Sequence, residues 1–272
     1  MKKARVVVVL TVCASTILSG CSQQVGAVYV TATPDPANAP GPQVTLYYEE
    51  YAQFELISPE GTRILIDVHN PDYLTSPPTE DDILLSTHLH GDHFVDSFAD
   101  SFPGQELRAE VGEIDNGDVS ILSIPSSHGP DEEPRTVGSS NYIYVIDVAD
   151  MRFVHFGDAG QTEFSQEQLD ALGEVDVAMI LFGGMCSIDW WNSFGLMEQV
   201  QPRLIIPTHA AREVLVDALE LWGAYWVDPG EDYYDEVNPA MIGLEDLPDE
   251  TGFLPLGEWA TECRTIDDMI VW

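Results

Sequence analysis

The chain has 272 residues, and its 47 acidic side chains face only ten basic ones, for a formal net charge of −37. A field of that sign repels polyanions and argues against nucleic acid as substrate or partner. Lys2, Lys3 and Arg5 are three of the ten cations and no lysine follows them, a composition suited to a salty or exposed setting where self-repulsion is screened.

Those three cations form a basic n-region, and Val6 to Leu18 is an apolar stretch of signal-peptide length, short for a membrane span. It ends in Leu18-Ser19-Gly20-Cys21, which resembles the lipobox of exported lipoproteins. The resemblance implies a signal peptide at residues 1–20, cleavage before Cys21, acyl chains such as palmitate on that cysteine, and membrane attachment in the cell envelope. Residues 21–43 include Thr31-Ala32-Thr33-Pro34-Asp35-Pro36-Ala37-Asn38-Ala39-Pro40-Gly41-Pro42. Such a stretch cannot bury a core and reads as an extended tether, reaching roughly 70 Å at ~3.1 Å per residue.

Residues 44–272 suit one domain with a substantial core. Apolar runs predict strands at Val44–Tyr48, Phe54–Ile57, Arg63–Asp67, Ile83–Thr87, Val119–Ile124, Tyr142–Asp147, Arg152–Phe156, Val177–Phe182 and Arg203–Ile206. Helices are expected at Ser165–Leu172, Phe194–Val200 and Ala211–Trp222. The pattern supports an α/β or α+β class. Asp228–Glu250, acidic and rich in Pro and Gly, reads as a solvated surface loop or as an insertion walling one side of a pocket.

The densest chemistry follows the run Ile83 to Leu85. His88, His90, Asp92 and His93 fall within six residues. In an extended segment alternate residues share a face, so His88 and His90 can grip one cation together. Gly91 then permits a turn that aims Asp92 and His93 at a second position. Neutral imidazole and carboxylate are ligands for zinc, manganese or iron.

His88-Leu89-His90-Gly91-Asp92-His93 resembles the H-x-H-x-D-H signature of the metallo-β-lactamase superfamily. The resemblance implies a four-layer αββα sandwich and three later ligands, each on a loop after a strand, in the order His, Asp, His. Ser126-Ser127-His128-Gly129, Phe156-Gly157-Asp158-Ala159-Gly160 and Pro207-Thr208-His209-Ala210 sit where it expects them. It implies one metal on His88, His90 and His128, a second on Asp92, His93 and His209, and Asp158 bridging the two. Two divalent cations, zinc by expectation with manganese or iron as alternatives, would activate a shared water or hydroxide and take up charge on the attacked oxygen. Asp92 could also orient the nucleophile or protonate a leaving group.

His155-Phe156-Gly157-Asp158 matches an H-x-G-D pattern in the ascorbate-6-phosphate lactonase-like branch, and Gly61-Thr62-Arg63-Ile64-Leu65-Ile66-Asp67, Phe182-Gly183-Gly184 and Gln201–His209 extend the similarity. Val68 departs from it, since that branch places proline directly after the aspartate. Asp67 reads as a structural partner of the ligand loop. His155 is either an orienting partner of a ligand or a satisfied core histidine, and His69 could line the pocket. Trp190-Trp191, in the loop before a helix, could stack on a ring, cover the metals or pack in the core or at the rim, and Arg135 is one of few cations able to hold an anion. Cys186 and Cys263 could form a disulfide or stay separate thiols. The expected activity is hydrolysis of a small ester, lactone, phosphodiester or amide. The other readings are a non-catalytic metal- or solute-binding lipoprotein and, with a bridging Asp158 against it, a β-lactamase.

Overall fold

The computed structural model describes residues 41–130, 134–135, 138–182, 190–209, 239–249, 251–254 and 256. Cys21, Cys186, Cys263 and the expected helix Ala211–Trp222 lie outside these residues. Among the described residues, two mixed sheets carry the fold. The first holds, in spatial order, β12 (Ala240–Gly243), β1 (Gln43–Glu50), β2 (Gln53–Ile57), β3 (Arg63–Ile66), β4 (Ile83–Ser86) and β5 (Gln105–Arg108). The second holds β13 (Gly252–Phe253), β11 (Leu204–Thr208), β10 (Val177–Leu181), β9 (Met151–His155), β8 (Asn141–Val148), β7 (Val119–Ser126) and β6 (Glu113–Asp115).

Strand alternation builds three apolar layers from these sheets. Leu46, Phe54, Leu56, Ile64, Ile66 and Leu85 face Ile121, Tyr144, Ile146, Phe153, Met179 and Ile206 in one cluster between the sheets. The alternate residues Ile143, Val145, Val154, Ala178, Ile180 and Ile205 join Leu172, Leu196 and Met197 in a second cluster, beneath helices α2 (Gln166–Leu172) and α3 (Trp190–Val200). Leu65, Leu84, Phe94 and Ala99 form the third, on the other side, where the short α1 (Asp96–Ala99) lies. The result is an α/β, αββα sandwich. Strands covered on both faces read as unbroken apolar runs, which is why β3, β4 and β10 stand out in the sequence.

α2 starts where a capping box sets it: Ser165 Oγ accepts from Gln168 N at 3.2 Å, and Gln168 Oε1 accepts from Ser165 N at 2.9 Å. Gly173, at φ 62°, ends it. α3 starts at Trp190, four residues before the expected Phe194, so both tryptophans belong to its first turn rather than to a preceding loop. β1 starts at Gln43, one residue inside the expected tether. The expectation of a loop at 228–250 is corrected within its described part, because Ala240–Gly243 pairs antiparallel with Gln43–Leu46. Gly41 N and Gln43 Nε2 reinforce this edge by donating to Glu245 Oε1 and Asp246 Oδ2 at 2.9 and 3.0 Å.

Candidate metal centre

Each donor-bearing loop begins where a strand stops. β3, β4, β9 and β10 end one residue short of the expected Asp67, Thr87, Phe156 and Phe182, and at these points the chain leaves the ladder. Asp67 and His209 both take left-handed backbone, φ 49° in each case, without being glycine. Such conformations cost about 1–3 kcal/mol and persist where surroundings enforce them. Gly157, at φ 54°, has two reasons to lack a side chain. A Cβ there would meet Thr87 Cβ at 2.6 Å and Asn141 Oδ1 at 2.7 Å.

The loop after β4, in the first sheet, supplies His88, His90, Asp92 and His93. The loops after β7, β9 and β11, in the second sheet, supply His128, Asp158 and His209. These seven side chains gather into three overlapping groups whose ligand atoms lie within 4.8 Å of one another: His88 with His90 and His128; His88 with His93 and Asp158; and Asp92 with His93 and His209. Asp158 lies between the outer two groups. Its Oδ1 is 3.3 Å from His93 Nε2 and 3.6 Å from His209 Nε2, while its Oδ2 is 3.5 Å from His128 Nε2. His93 Nε2 and His209 Nε2 approach to 3.0 Å, and Asp92 Oδ2 stands 4.0 Å from His93 Nε2.

Asp67 organises what lies beneath. Its carboxylate is fully buried and accepts from Thr87 N at 2.7 Å and Thr87 Oγ1 at 2.8 Å. His93 Nδ1 and His155 Nε2 each lie 2.9 Å from Asp67 Oδ2. His155 is thus a partner of Asp67 and also packs edge-on against Phe54. With Nδ1–H of His93 given to Asp67, its Nε2 is the nitrogen turned to the cluster. Thr87 Oγ1, having given its proton to Asp67, accepts from His88 Nδ1 at 3.0 Å, which leaves the His88 Nε2 lone pair free. That nitrogen is buried with no hydrogen-bond partner. A buried acceptor without a donor is costly, and a cation satisfies it.

Electrostatics separate the donors. Burial holds His88 down to about 2, and burial together with His128 lowers His90. Both are neutral and ready to ligate. Burial also lowers His209. His93 goes the other way: burial opposes its charge, but Asp158 and Asp67 on either side raise it well above the usual imidazole range. Burial works against both carboxylates too, yet His93 holds Asp67 and Asp158 below the ordinary carboxyl value. A proton on His93 therefore occupies the place where a cation would neutralise the same two carboxylates.

Several residues that support the site carry no signal in the motifs. Asn141 clamps the Asp158 loop, donating from Nδ2 to Phe156 O at 2.9 Å and accepting at Oδ1 from Asp158 N at 3.2 Å. His128 N donates to Ser140 Oγ at 2.8 Å. Thr87 and Asn141 are polar residues at the ends of apolar runs, the only mark they leave in the sequence. Arg135 is exposed, with its backbone N donating to Ser139 Oγ at 3.2 Å. Trp191 is also exposed.

The sequence matches the beta-lactamase superfamily domain over residues 45–209, a stretch that contains all seven donors. The chain belongs to that superfamily. It is similar to a metal-dependent hydrolase of Thermococcus onnurineus, 24% identical over 184 residues that span 58% of this chain and 81% of the relative. It is also similar to a metal-dependent hydrolase of Methanosphaera stadtmanae, 26% identical over 232 residues, or 70% of this chain and 98% of the relative. A candidate zinc-dependent hydrolase of the metallo-beta-lactamase superfamily from Thermotoga maritima shares the fold, with a TM-score of 0.52 at 19% identity over 79% of this chain and 98% of that one. Superfamily membership, fold and donor clusters together support metal-dependent hydrolysis as the chemistry of this chain.

Proposed function

We propose that the chain is a hydrolase holding two divalent cations, zinc in the first instance with manganese or iron as alternatives, and acting on a small ester, lactone or phosphodiester. His88, His90 and His128 would hold one cation, Asp92, His93 and His209 the other, with Asp158 between them. The observation that carries this reading is the carboxylate of Asp158, whose two oxygens face opposite clusters at 3.3 and 3.5 Å. Bound there, the cations supply a water acidic enough to attack at neutral pH and positive charge for the oxygen under attack.

The chain's own residues do the rest. Asp67 and Thr87 fix the tautomers of His93 and His88, so both donors point inward before any cation arrives. Asp92, whose side chain is 34% exposed beside the buried cluster, would orient the nucleophile or pass a proton to a leaving group. Leu89, between two donors and exposed, offers an apolar surface at the mouth. The names of the relatives, as metal-dependent hydrolases, agree with this reading.

The finer assignments rest on sequence. The H-x-G-D element at His155–Asp158 supports placement near the ascorbate-6-phosphate lactonase-like branch. The Leu18-Ser19-Gly20-Cys21 element supports a signal peptide at 1–20, lipid on Cys21, a tether to residue 43 and attachment to the membrane of the cell envelope, with the hydrolase domain at 44–272.

Elemental analysis of the purified protein, with assays on lactone, ester, phosphodiester and β-lactam substrates before and after chelation, tests the proposal. Two cations per chain and chelator-sensitive turnover of a lactone, ester or phosphodiester are expected. Two cations with no turnover on any substrate would favour a metal- or solute-binding lipoprotein, and turnover of β-lactams alone a β-lactamase.

A further inference from the structure

His69 lies outside all three donor groups, yet its position is tightly built. The buried Gln53 fixes the backbone on both sides of it: Gln53 Oε1 accepts from His69 N at 3.1 Å and from Asn70 N at 2.9 Å, and Gln53 Nε2 donates to Asn70 O at 3.1 Å. The ring stands edge-on to Tyr51, centroids 5.1 Å apart at 88°, with Tyr73 beyond it at 6.1 Å. Glu50 Oε2 faces its Nε2 at 3.6 Å. Tyr51 in turn packs on His209, centroids 5.4 Å apart, and its backbone carbonyl accepts from His209 N at 3.1 Å.

Tyr51 is itself held in an unfavourable shape, at φ 51°, just past a register shift between Tyr48 and Glu50. Tyr48 Oη donates to the same Tyr51 carbonyl at 2.9 Å. One wall therefore runs from Gln53 through His69 and Tyr51 to the ring of His209. Nothing of the kind backs His90, whose ring meets only the rings of His88 and His128 among the aromatic contacts of the described residues.

We infer that His69 is a positioning residue for the buried cation site: its ring holds Tyr51 against His209 and thereby sets how tightly the Asp92, His93 and His209 cluster retains its metal. The inference rests on the two-cation reading above. Partners one layer behind a metal ligand shift metal affinity by about 10–100-fold. His69 acts one contact further back, so the lower end of that range applies.

The test is calorimetric titration of metal-free full-length protein with zinc. The wild type taking two cations, with His90→Ala and His209→Ala variants each retaining one, assigns the two steps. His69→Ala is then expected to weaken the buried-site step about tenfold, leaving the other within twofold. His69→Phe, which restores a ring against Tyr51, should recover most of the loss. If His69→Ala fails to fold, as judged by circular dichroism, Tyr51→Ala removes the same contact from its other side and must give the same selective loss. Equal weakening of both steps, no change in either, or no recovery with phenylalanine overturns the inference. Fewer than two cations in the wild type overturns the two-cation reading, and this inference with it.

Discussion

The two outer donor clusters, His88, His90 and His128 against Asp92, His93 and His209, differ by one carboxylate in their donors and by more in their surroundings. In one, His90 is exposed and His128 half-buried; in the other, His93 and His209 are buried and only Asp92 reaches the surface. In the open cluster burial holds His88 and His90 neutral, and Thr87 orients His88 through a hydrogen bond of 3.0 Å. The buried cluster sits between two carboxylates, with a histidine whose charge those carboxylates favour. Donor identity alone therefore does not define a metal site. The neighbouring carboxylates decide whether a cation arrives at a waiting lone pair or must displace a proton.

The largest expected effect comes from removing what the two clusters share. Asp67→Ala leaves His93, His155 and Thr87 without a common buried acceptor and should cost about 3–5 kcal/mol, measured by urea unfolding of the metal-free protein. An unchanged midpoint would mean that Asp67 anchors neither cluster. Gly157→Ala forces a Cβ between Thr87 and Asn141 on left-handed backbone. A loss of about 1–3 kcal/mol is expected, with cation uptake impaired in both clusters because Asp158 moves. Uptake impaired in one cluster alone would show that Asp158 serves only that cluster.

Thr87→Val separates the clusters. It strips the hydroxyl that accepts from His88 while leaving the backbone bond to Asp67, and should cost about 1–2 kcal/mol in stability. Zinc titration should show the open-site step weakened more than the buried one; the reverse order would break the comparison.

The smallest effect is protonic. Titrations in buffers of differing ionisation heat should show about one proton released by the buried-site cation and close to none by the open-site one. Buried-site affinity should therefore rise with pH until His93 has lost its proton. For the metal-free fold the sign is opposite. The His93 contribution is fully present below the ordinary imidazole value of about 6.5 and is lost as pH rises through its elevated folded value. Alkaline destabilisation that zinc relieves is the expected result, followed by thermal unfolding.

What the sequence conveyed, and what it did not, follows the sheet positions. Strands buried on both faces were legible as apolar runs to within two residues or so. The four strands that gave no signal, β5, β6, β12 and β13, are the four sheet edges among the described residues. In β5, Gln105 and Glu106 are exposed and only Leu107 is buried, so no alternation of useful length exists. Edge strands are kept short and polar because an exposed apolar edge invites aggregation. At the site, His88, His90, Asp92 and His93 were legible because four ligand-type residues fall within six positions after an apolar run. His128, Asp158 and His209 were legible through the resemblance to the metallo-β-lactamase superfamily. Gln53, Thr87 and Asn141 were not, because a buried amide or hydroxyl acquires meaning only from the backbone groups that folding brings to it.

The donors come from both sheets, His93 and His209 being separated by 116 positions in sequence yet 3.0 Å apart in space. Loaded cations would then rivet one half of the sandwich to the other, closing a long loop much as a covalent cross-link does. Such a fastening acts on the seam that must part when the protein unfolds, so a metal-loaded molecule gains kinetic endurance as well as chemistry.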